Sequence, residues 1–239
     1  MQPETNFIAT MNKAAIITGA SGNMGQAVVQ KFVAEGYQVI GTVTQQDAAL
    51  NRFGAAVEQV VVDLADEPAA GAFVEKVIAG YGRIDAAVLT VGGFAMGGIA
   101  DTSTAAIAKQ YTLNFETAYN VARPCFVQMM KQGAGRIFLV GSRPGLNARD
   151  GKGMVAYGLA KSLIFRLAEL MNAEAKGSNV VTSVVVPSTI DTPQNRSAIP
   201  DASFDTWVKP EAIAELIHFH CTDAAATLRE PVIKVYNNA

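Results

Sequence analysis

The run KAAIITGASGNMGQAVVQKFVAE, Lys13 to Glu35, decides the fold. A strand-like apolar segment ends at Thr18, glycines follow at Gly19, Gly22 and Gly25, and apolar residues then recur at three- and four-residue spacing. A strand that turns straight into a helix leaves the first helical N–H groups unpaired and aims the positive dipole end at the turn, which suits a phosphate. Glycines at such a turn permit a tight bend, close approach of backbone to a pyrophosphate, and close packing of helix on strand. A glycine motif alone also makes ordinary turns, so its weight comes from its place in the first βα unit of a repeated pattern.

That pattern runs the length of the chain. Val/Ile-rich segments KAAIIT, YQVIGTV, VEQVVV, DAAVLT, GRIFLVG, NVVTSVVV and EPVIKVY alternate with amphipathic ones such as MGQAVVQKFVAE and EPAAGAFVEKVIAG. The alternation predicts one α/β Rossmann-fold domain, a doubly wound parallel sheet of about seven strands with helices on both faces. The strands are continuously apolar because such a sheet is covered on both sides. The expected domain spans 12–239, with 1–11 as a loose tail, and no linker or repeat divides it.

Composition narrows the function. The chain has 239 residues, half of them hydrophobic and 17% charged, with a net charge of −2. This is a globular composition without the basic patch that nucleic acid demands. No apolar run is long enough for a membrane span, and the N-terminus lacks the pattern of a secretion signal. Two isolated cysteines, Cys125 and Cys221, fit a reducing, cytoplasmic setting. His218 and His220 stand two apart, which on a helix points them in different directions, so no metal site is expected.

Within the glycine turn, Gly19, Ser21, Gly22, Asn23, Met24 and Gly25 are the candidate pyrophosphate contacts. A carboxylate about 20 residues further on normally holds the ribose hydroxyls of NAD. Here the second strand ends in GTVTQQD, with neither an acid nor an arginine at the expected place near Val43. Thr44 is the remaining candidate, Asp47 lies too far along, and NAD against NADP stays open. Asp63 and Leu64, after the third strand, are candidates for the adenine edge; capping the following helix is an equally good reading of Asp63.

The segment GMVAYGLAKSLIFRLAEL, Gly153 to Leu170, places Tyr157 and Lys161 one helical turn apart and on one face. An ammonium beside a phenol favours the phenolate and draws the tyrosine pKa down from about 10. A tyrosine tuned in this way exchanges a proton with a substrate oxygen.

These motifs together resemble the short-chain dehydrogenase/reductase family: TGASGNMG, YGLAK, a serine ending the fifth strand, and PSTIDTP after the sixth. The resemblance implies Tyr157 as general acid/base and Lys161 as its partner and ribose ligand. It implies Ser142 as a hydrogen-bond donor to the substrate oxygen and Asn114 as support for a water relay to the lysine. Val91 and Gly92 after the fourth strand, and Pro187, Ile190 and Thr192 after the sixth, match further cofactor contacts. Two departures accompany it: Asn23 stands where a glycine is common, and Leu89-Thr-Val-Gly92 replaces the usual Asn-Asn-Ala-Gly. The segment TIDTPQNRSAIPDASFDTW is similar to the dihydropteridine reductase branch. The mammalian enzyme of that branch lacks the serine, whereas this chain carries the full Asn-Ser-Tyr-Lys set.

The expected function is therefore NAD(P)-dependent hydride exchange with a small carbonyl or alcohol. The alternatives are pterin reduction and a non-catalytic NAD(P)-binding regulator. Candidate substrate contacts are Phe94, Met96, Arg143, Met154 and Trp207, with Gln194, Asn195 and Arg196 on a polar segment, 192–207, expected to form a lid. Arg143 or Arg196 would suit an anionic substrate group, and a buried structural Trp207 is the plainer reading of that residue. The resemblance also implies a homodimer or homotetramer paired through the helices Ile107–Met130 and Val155–Ala175.

Overall fold

The computed structural model describes residues 13–229 and 231–238. The expected tail, 1–11, lies outside the described residues. Seven strands form one sheet: β1 (Ala14–Thr18), β2 (Gln38–Val43), β3 (Val57–Val61), β4 (Ala86–Leu89), β5 (Ala134–Val140), β6 (Asn179–Pro187) and β7 (Val232–Val235). Their order is β3-β2-β1-β4-β5-β6-β7, and each pairs in parallel with its neighbours. The order reverses at β1 and β4, where their carboxyl ends part and leave the crevice in which such sheets bind ligands.

The helices are α1 (Asn23–Ala34), α2 (Glu67–Tyr81), α3 (Thr104–Tyr111), α4 (Thr117–Gln132), α5 (Arg143–Leu146), α6 (Val155–Glu174), α7 (Pro193–Ala198) and α8 (Pro210–Phe219). Period-two alternation along β1 explains the two layers they form. Ala14 and Ile16 point into a core with Val74, Val121 and Ile164 of α2, α4 and α6. Ala15 and Ile17 point into the opposite core with Val28, Phe32 and Ile213 of α1 and α8. Both faces are covered, so every residue of β1 and β4 is buried.

The helix expected over Ile107–Met130 runs from Thr104 to Gln132 and is broken once, by a π-turn at Thr112–Glu116 that links α3 to α4. One extra residue in the turn swings Asn114 inward, where it is 1% exposed. Such turns recur at functional sites because they re-aim one side chain without ending the helix.

The glycine turn is held by its own backbone and by β2. Gly22 donates to the Gly19 carbonyl at 2.9 Å, and Ala20 donates to the Thr42 carbonyl at 3.0 Å. Gly19 sits in the left-handed region at φ 63°. A Cβ on Gly25 would run into the Gly19 carbonyl and come within 2.8 Å of its carbon, so α1 reaches β1 only because this residue is glycine. Gly71 in α2 has open space around it. We expect Gly25→Ala to cost about 2–3 kcal/mol through overpacking, a fall in Tm of about 5–10 °C for a chain of this size. Gly71→Ala should leave the melting temperature unchanged or raise it; calorimetry on the two variants checks the contrast.

Candidate active site

Two clefts open along the carboxyl edge of the sheet. The larger, about 920 Å³, is lined by Gly19, Ser21, Thr44, Asp63, Leu64 and Val91 among others. It runs from the glycine turn across the ends of β2 and β3. The smaller, about 370 Å³, contains Ser142, Arg143, Tyr157, Pro187 and Ile190 and has Phe94 on its wall. Val91 belongs to one and Phe94 to the other, so the short loop after β4 runs between them.

The larger cleft fits a dinucleotide. The Gly19–Gly25 contact brings the helix start against β1 where any side chain would block it, and the strand ends beyond it offer open volume instead of packed side chains. Asp63 lies on this wall, and its carboxylate also accepts from the Ala65 N–H at 2.9 Å. The cap of α2 is Asp66, so Asp63 is free of that duty. Asp47 is indeed withdrawn: it caps the following turn through the Ala49 N–H, and its backbone pairs with Gln59. Thr44 lines the same cleft, whose wall also carries Asp63 and Lys109.

Several residues of the cradle escape the sequence reading. Thr18 Oγ1 accepts from the Thr90 N–H at 3.0 Å, and Thr90 Oγ1 donates back to the Thr18 carbonyl at 2.6 Å. This reciprocal pair locks the ends of β1 and β4 where the crevice opens. Thr42 accepts from the Gly19 N–H at 3.3 Å and braces the glycine turn from β2. A threonine ending a strand is common, so only the fold reveals these roles.

The four candidate catalytic residues come from three elements. Tyr157 and Lys161 stand on α6, Ser142 caps the short helix α5, and Asn114 comes from the π-turn. Ser142 and Tyr157 line the same cleft, and Ser142 Oγ accepts from the Gly145 N–H at 3.2 Å. Lys161 is buried, with Nζ donating to the Val140 carbonyl at 2.8 Å and lying 6.0 Å from the Tyr157 ring centre. The Asn114 amide exchanges two hydrogen bonds with the Gly93 backbone, at 3.0 and 3.1 Å, and donates to Gln110 Oε1 at 2.9 Å. A Cβ on Gly92 would stand 2.7 Å from Asn114 Oδ1 and 3.2 Å from Lys161 Nζ. Glycine at 92 therefore lets the loop after β4 close onto the lysine, and Asn114 pins it there. Gln110, buried beneath, completes the set and carries no motif of its own.

The electrostatics correct one expectation. Burial pushes the Tyr157 phenol up, and the Ser142 hydrogen bond is what pulls it partway back; Lys161 has its charge turned toward the Val140 carbonyl. Burial drives the Lys161 ammonium down from 10.5 to about 8. A lowered lysine pKa means that the unfolded chain binds more protons between pH 8 and 10.5. Stability from this group thus rises with pH across that window, and holding the charge below it costs on the order of 3 kcal/mol.

Other predicted positions fall elsewhere. Trp207 does not line the cleft: it is buried against Phe204, with ring centres 4.8 Å apart, and is locked through Asn237. Met24 packs its side chain on the core beneath α1, leaving only backbone toward the turn. Met154 precedes α6 and is bridged to Gly97, and Met96 is exposed beyond it. Phe94 meets the Tyr157 ring edge-on at 5.2 Å.

The expected lid is anchored at its base. Ile190 is bridged to Val208, and Thr192 caps α7. Asn23 Nδ2 donates to Gln194 Oε1 at 2.8 Å, joining the glycine turn to α7. Asn23, Thr192 and Arg196 line a separate polar hollow of about 500 Å³. Arg196 is neutralised by two bonds to Asp191, at 2.5 and 2.8 Å. Among the described residues no cluster of His, Cys, Asp or Glu could hold a metal, and no helix is long and apolar enough to cross a membrane.

Comparison with known proteins agrees with this geometry. The chain is 28% identical over 189 residues to an acetoacetyl-CoA reductase of an Acinetobacter species, covering 76% of this chain and 75% of that one. It is 24% identical over 234 residues to the Escherichia coli 3-oxoacyl-acyl-carrier-protein reductase FabG, covering 93% and 95%. The crystal structure of gox2181 superposes with a TM-score of 0.84 at 24% identity, over 94% of each chain, and shares the fold. The family model for short chain dehydrogenases matches residues 13–203, and the chain belongs to that family.

Proposed function

We propose that the protein is an NAD(P)-dependent oxidoreductase that interconverts a small carbonyl compound and its alcohol, with Tyr157 as the general acid and base. The observation that carries this reading is that the Ser142 and Tyr157 side chains line one small cleft, with Ser142 near enough to draw the phenol pKa down. Two hydroxyls converging on one point are what a carbonyl oxygen requires as it gains negative charge. The relatives named as oxoacyl and acetoacetyl reductases support the same chemistry.

The dinucleotide would lie in the larger cleft, with its pyrophosphate at the glycine turn and its nicotinamide end toward Tyr157 and Ile190. When bound there, it supplies or accepts the hydride. In reduction, Ser142 donates a hydrogen bond to the substrate oxygen and Tyr157 transfers its proton to it. The raised phenol pKa keeps that proton in place at neutral pH. In oxidation, Tyr157 must take the proton from the alcohol; Ser142 favours the resulting phenolate, and the Lys161 charge, 6.0 Å from the ring centre, acts on it only at longer range. Asn114 acts as a positioning residue, holding Gly93 and thereby the wall of the cleft. Pterin reduction makes no use of the buried Ser142 hydroxyl and is the weaker reading.

We expect Tyr157→Phe to lower reduction of a ketone by about 10³-fold, within the usual range for a lost general acid, and Ser142→Ala by about 10²-fold. Both variants should keep saturable fluorescence titrations with NADH or NADPH. Normal turnover in Tyr157→Phe would dismiss the assignment, as would wild-type protein that binds neither cofactor.

Lys161 loses its charge as pH rises through about 8. The support it gives Tyr157 is present below that pH and disappears above it. The kcat/KM for reduction, which reports the free enzyme, should therefore fall above pH 8. An arginine at 161 stays charged, so Lys161→Arg should be slower throughout and lack this limb. An unchanged limb in the variant would assign it to another group.

Exposed apolar residues support self-association through α4 and α6. Leu159, Leu163 and Leu170 form one stripe of α6, and Tyr119 and Val127 stand exposed on α4. Tyr111, Phe115 and Tyr119 stack one turn apart along the broken helix, at 5.2 and 5.9 Å. Light scattering should give two or four times 25.1 kDa, and Leu163→Glu should shift the mass to that of one chain. A monomeric wild type would end this reading.

A further inference from the structure

We propose that Arg143 is a specificity-determining residue that selects a carbonyl substrate bearing an anion, either a carboxylate or a phosphate. The proposal rests on the oxidoreductase reading and adds the class of substrate. Arg143 follows Ser142 directly and is the one residue with a permanent charge on the wall of the Tyr157 cleft. The remainder of that wall is apolar or neutral, with Phe94, Pro187, Ile190 and Ile199 on its apolar side.

The arginine is not consumed by the fold. Its nearest counter-charge, Asp150, is 4.0 Å away, and it makes no guanidinium hydrogen bond to a described residue. It rests instead on the Tyr236 ring, 5.4 Å from the ring centre. Such a contact fixes the plane of the guanidinium while leaving its edge of N–H donors available. Arg196 is the contrast: its charge is paired with Asp191 through two hydrogen bonds, and its face lies on Phe204 at 4.7 Å.

A guanidinium with a free edge in a largely apolar cleft matches the planar, two-oxygen face of a carboxylate or phosphate. At about 370 Å³, the cleft is the size of a small-molecule site. An anion held at Arg143 and a carbonyl oxygen held at Ser142 and Tyr157 would thus belong to one compact molecule. Phe94, 61% exposed at the mouth, would cover its apolar side.

The test compares matched pairs with the preferred cofactor: acetoacetate against methyl acetoacetate, and dihydroxyacetone phosphate against dihydroxyacetone. Wild type should favour the charged member of at least one pair by roughly 10- to 100-fold in kcat/KM, the range of a hydrogen bond to a charged group. Which pair responds distinguishes carboxylate from phosphate. Arg143→Gln should bring that ratio close to one, and Arg149→Gln, an exposed cation on the same loop, should keep it. Equal use of charged and neutral members by wild type, or a preference that survives Arg143→Gln, overturns the proposal and leaves the oxidoreductase reading standing. If no compound turns over, calorimetric titration of cofactor-loaded protein with acetoacetate and dihydroxyacetone phosphate decides. Binding lost in Arg143→Gln upholds the anion site; binding absent from wild type or unaffected by the variant rejects it.

Discussion

The buried ammonium of Lys161 is the constraint on which the site depends. A charge taken out of water must be met by aligned dipoles, or it neutralises. Here the Val140 carbonyl meets it directly, which ties α6 to the end of β5. Glycine at 145 lets α5 press onto α6, since a Cβ there would stand 2.6 Å from that of Lys161. Glycine at 92 admits the loop after β4 from the other side. The end of β5, α5 and the loop after β4 thus converge on one lysine, and Ser142, Tyr157 and Phe94 stand around it on the wall of one cleft.

That convergence sets the two ionisable groups against each other in a useful way. Burial raises the phenol and lowers the ammonium, so both lean toward their neutral forms. A neutral tyrosine is the proton donor that reduction requires. A lysine balanced near pH 8 remains mostly charged at neutral pH yet responds strongly to any new oxygen placed beside it. Ser142 is the counterweight within the free protein, since its hydrogen bond favours phenolate. Pairing Tyr157 with Lys161 by helical spacing alone misses this, because the i,i+4 relation brings the side chains to one face without saying where the ammonium points.

Much of the architecture was legible because its physics is local. All seven strands follow from short apolar runs, and the nucleotide turn follows from three glycines at the mouth of the first βα unit. The Ser142, Tyr157 and Lys161 constellation was legible through the motif. The supporting shell was not. Thr18, Thr42, Thr90 and Gln110 are ordinary residue types whose partners lie far away in sequence, and no period or motif marks them. In sequence, Trp207 is a candidate substrate contact with a buried structural role as the plainer reading, and the plainer reading holds: it packs on Phe204 and its carbonyl accepts from Asn237. The π-turn at Asn114 escaped for a related reason, since one inserted residue leaves the apolar periodicity of a long helix almost unchanged.

The two departures from the family's usual motifs find their explanation in contacts of this chain. Asn23, where a glycine is common, carries a side chain that reaches Gln194 and so couples the turn at the pyrophosphate end to the segment over the substrate. The Leu89-Thr-Val-Gly92 sequence replaces side-chain amides after β4 with a different lock: Thr90 binds back to β1, while Gly92 and Gly93 yield space to Asn114, Lys161 and Leu113. The polar work that asparagines would do on the strand is divided between a threonine facing β1 and the asparagine of the π-turn. Replacing Asn114 would therefore disturb the wall of the cleft before it disturbed any proton path, because its amide is already committed to Gly93 and Gln110. The departures lie in how the scaffold is braced, and Ser142 and Tyr157 are left together on the wall of the smaller cleft.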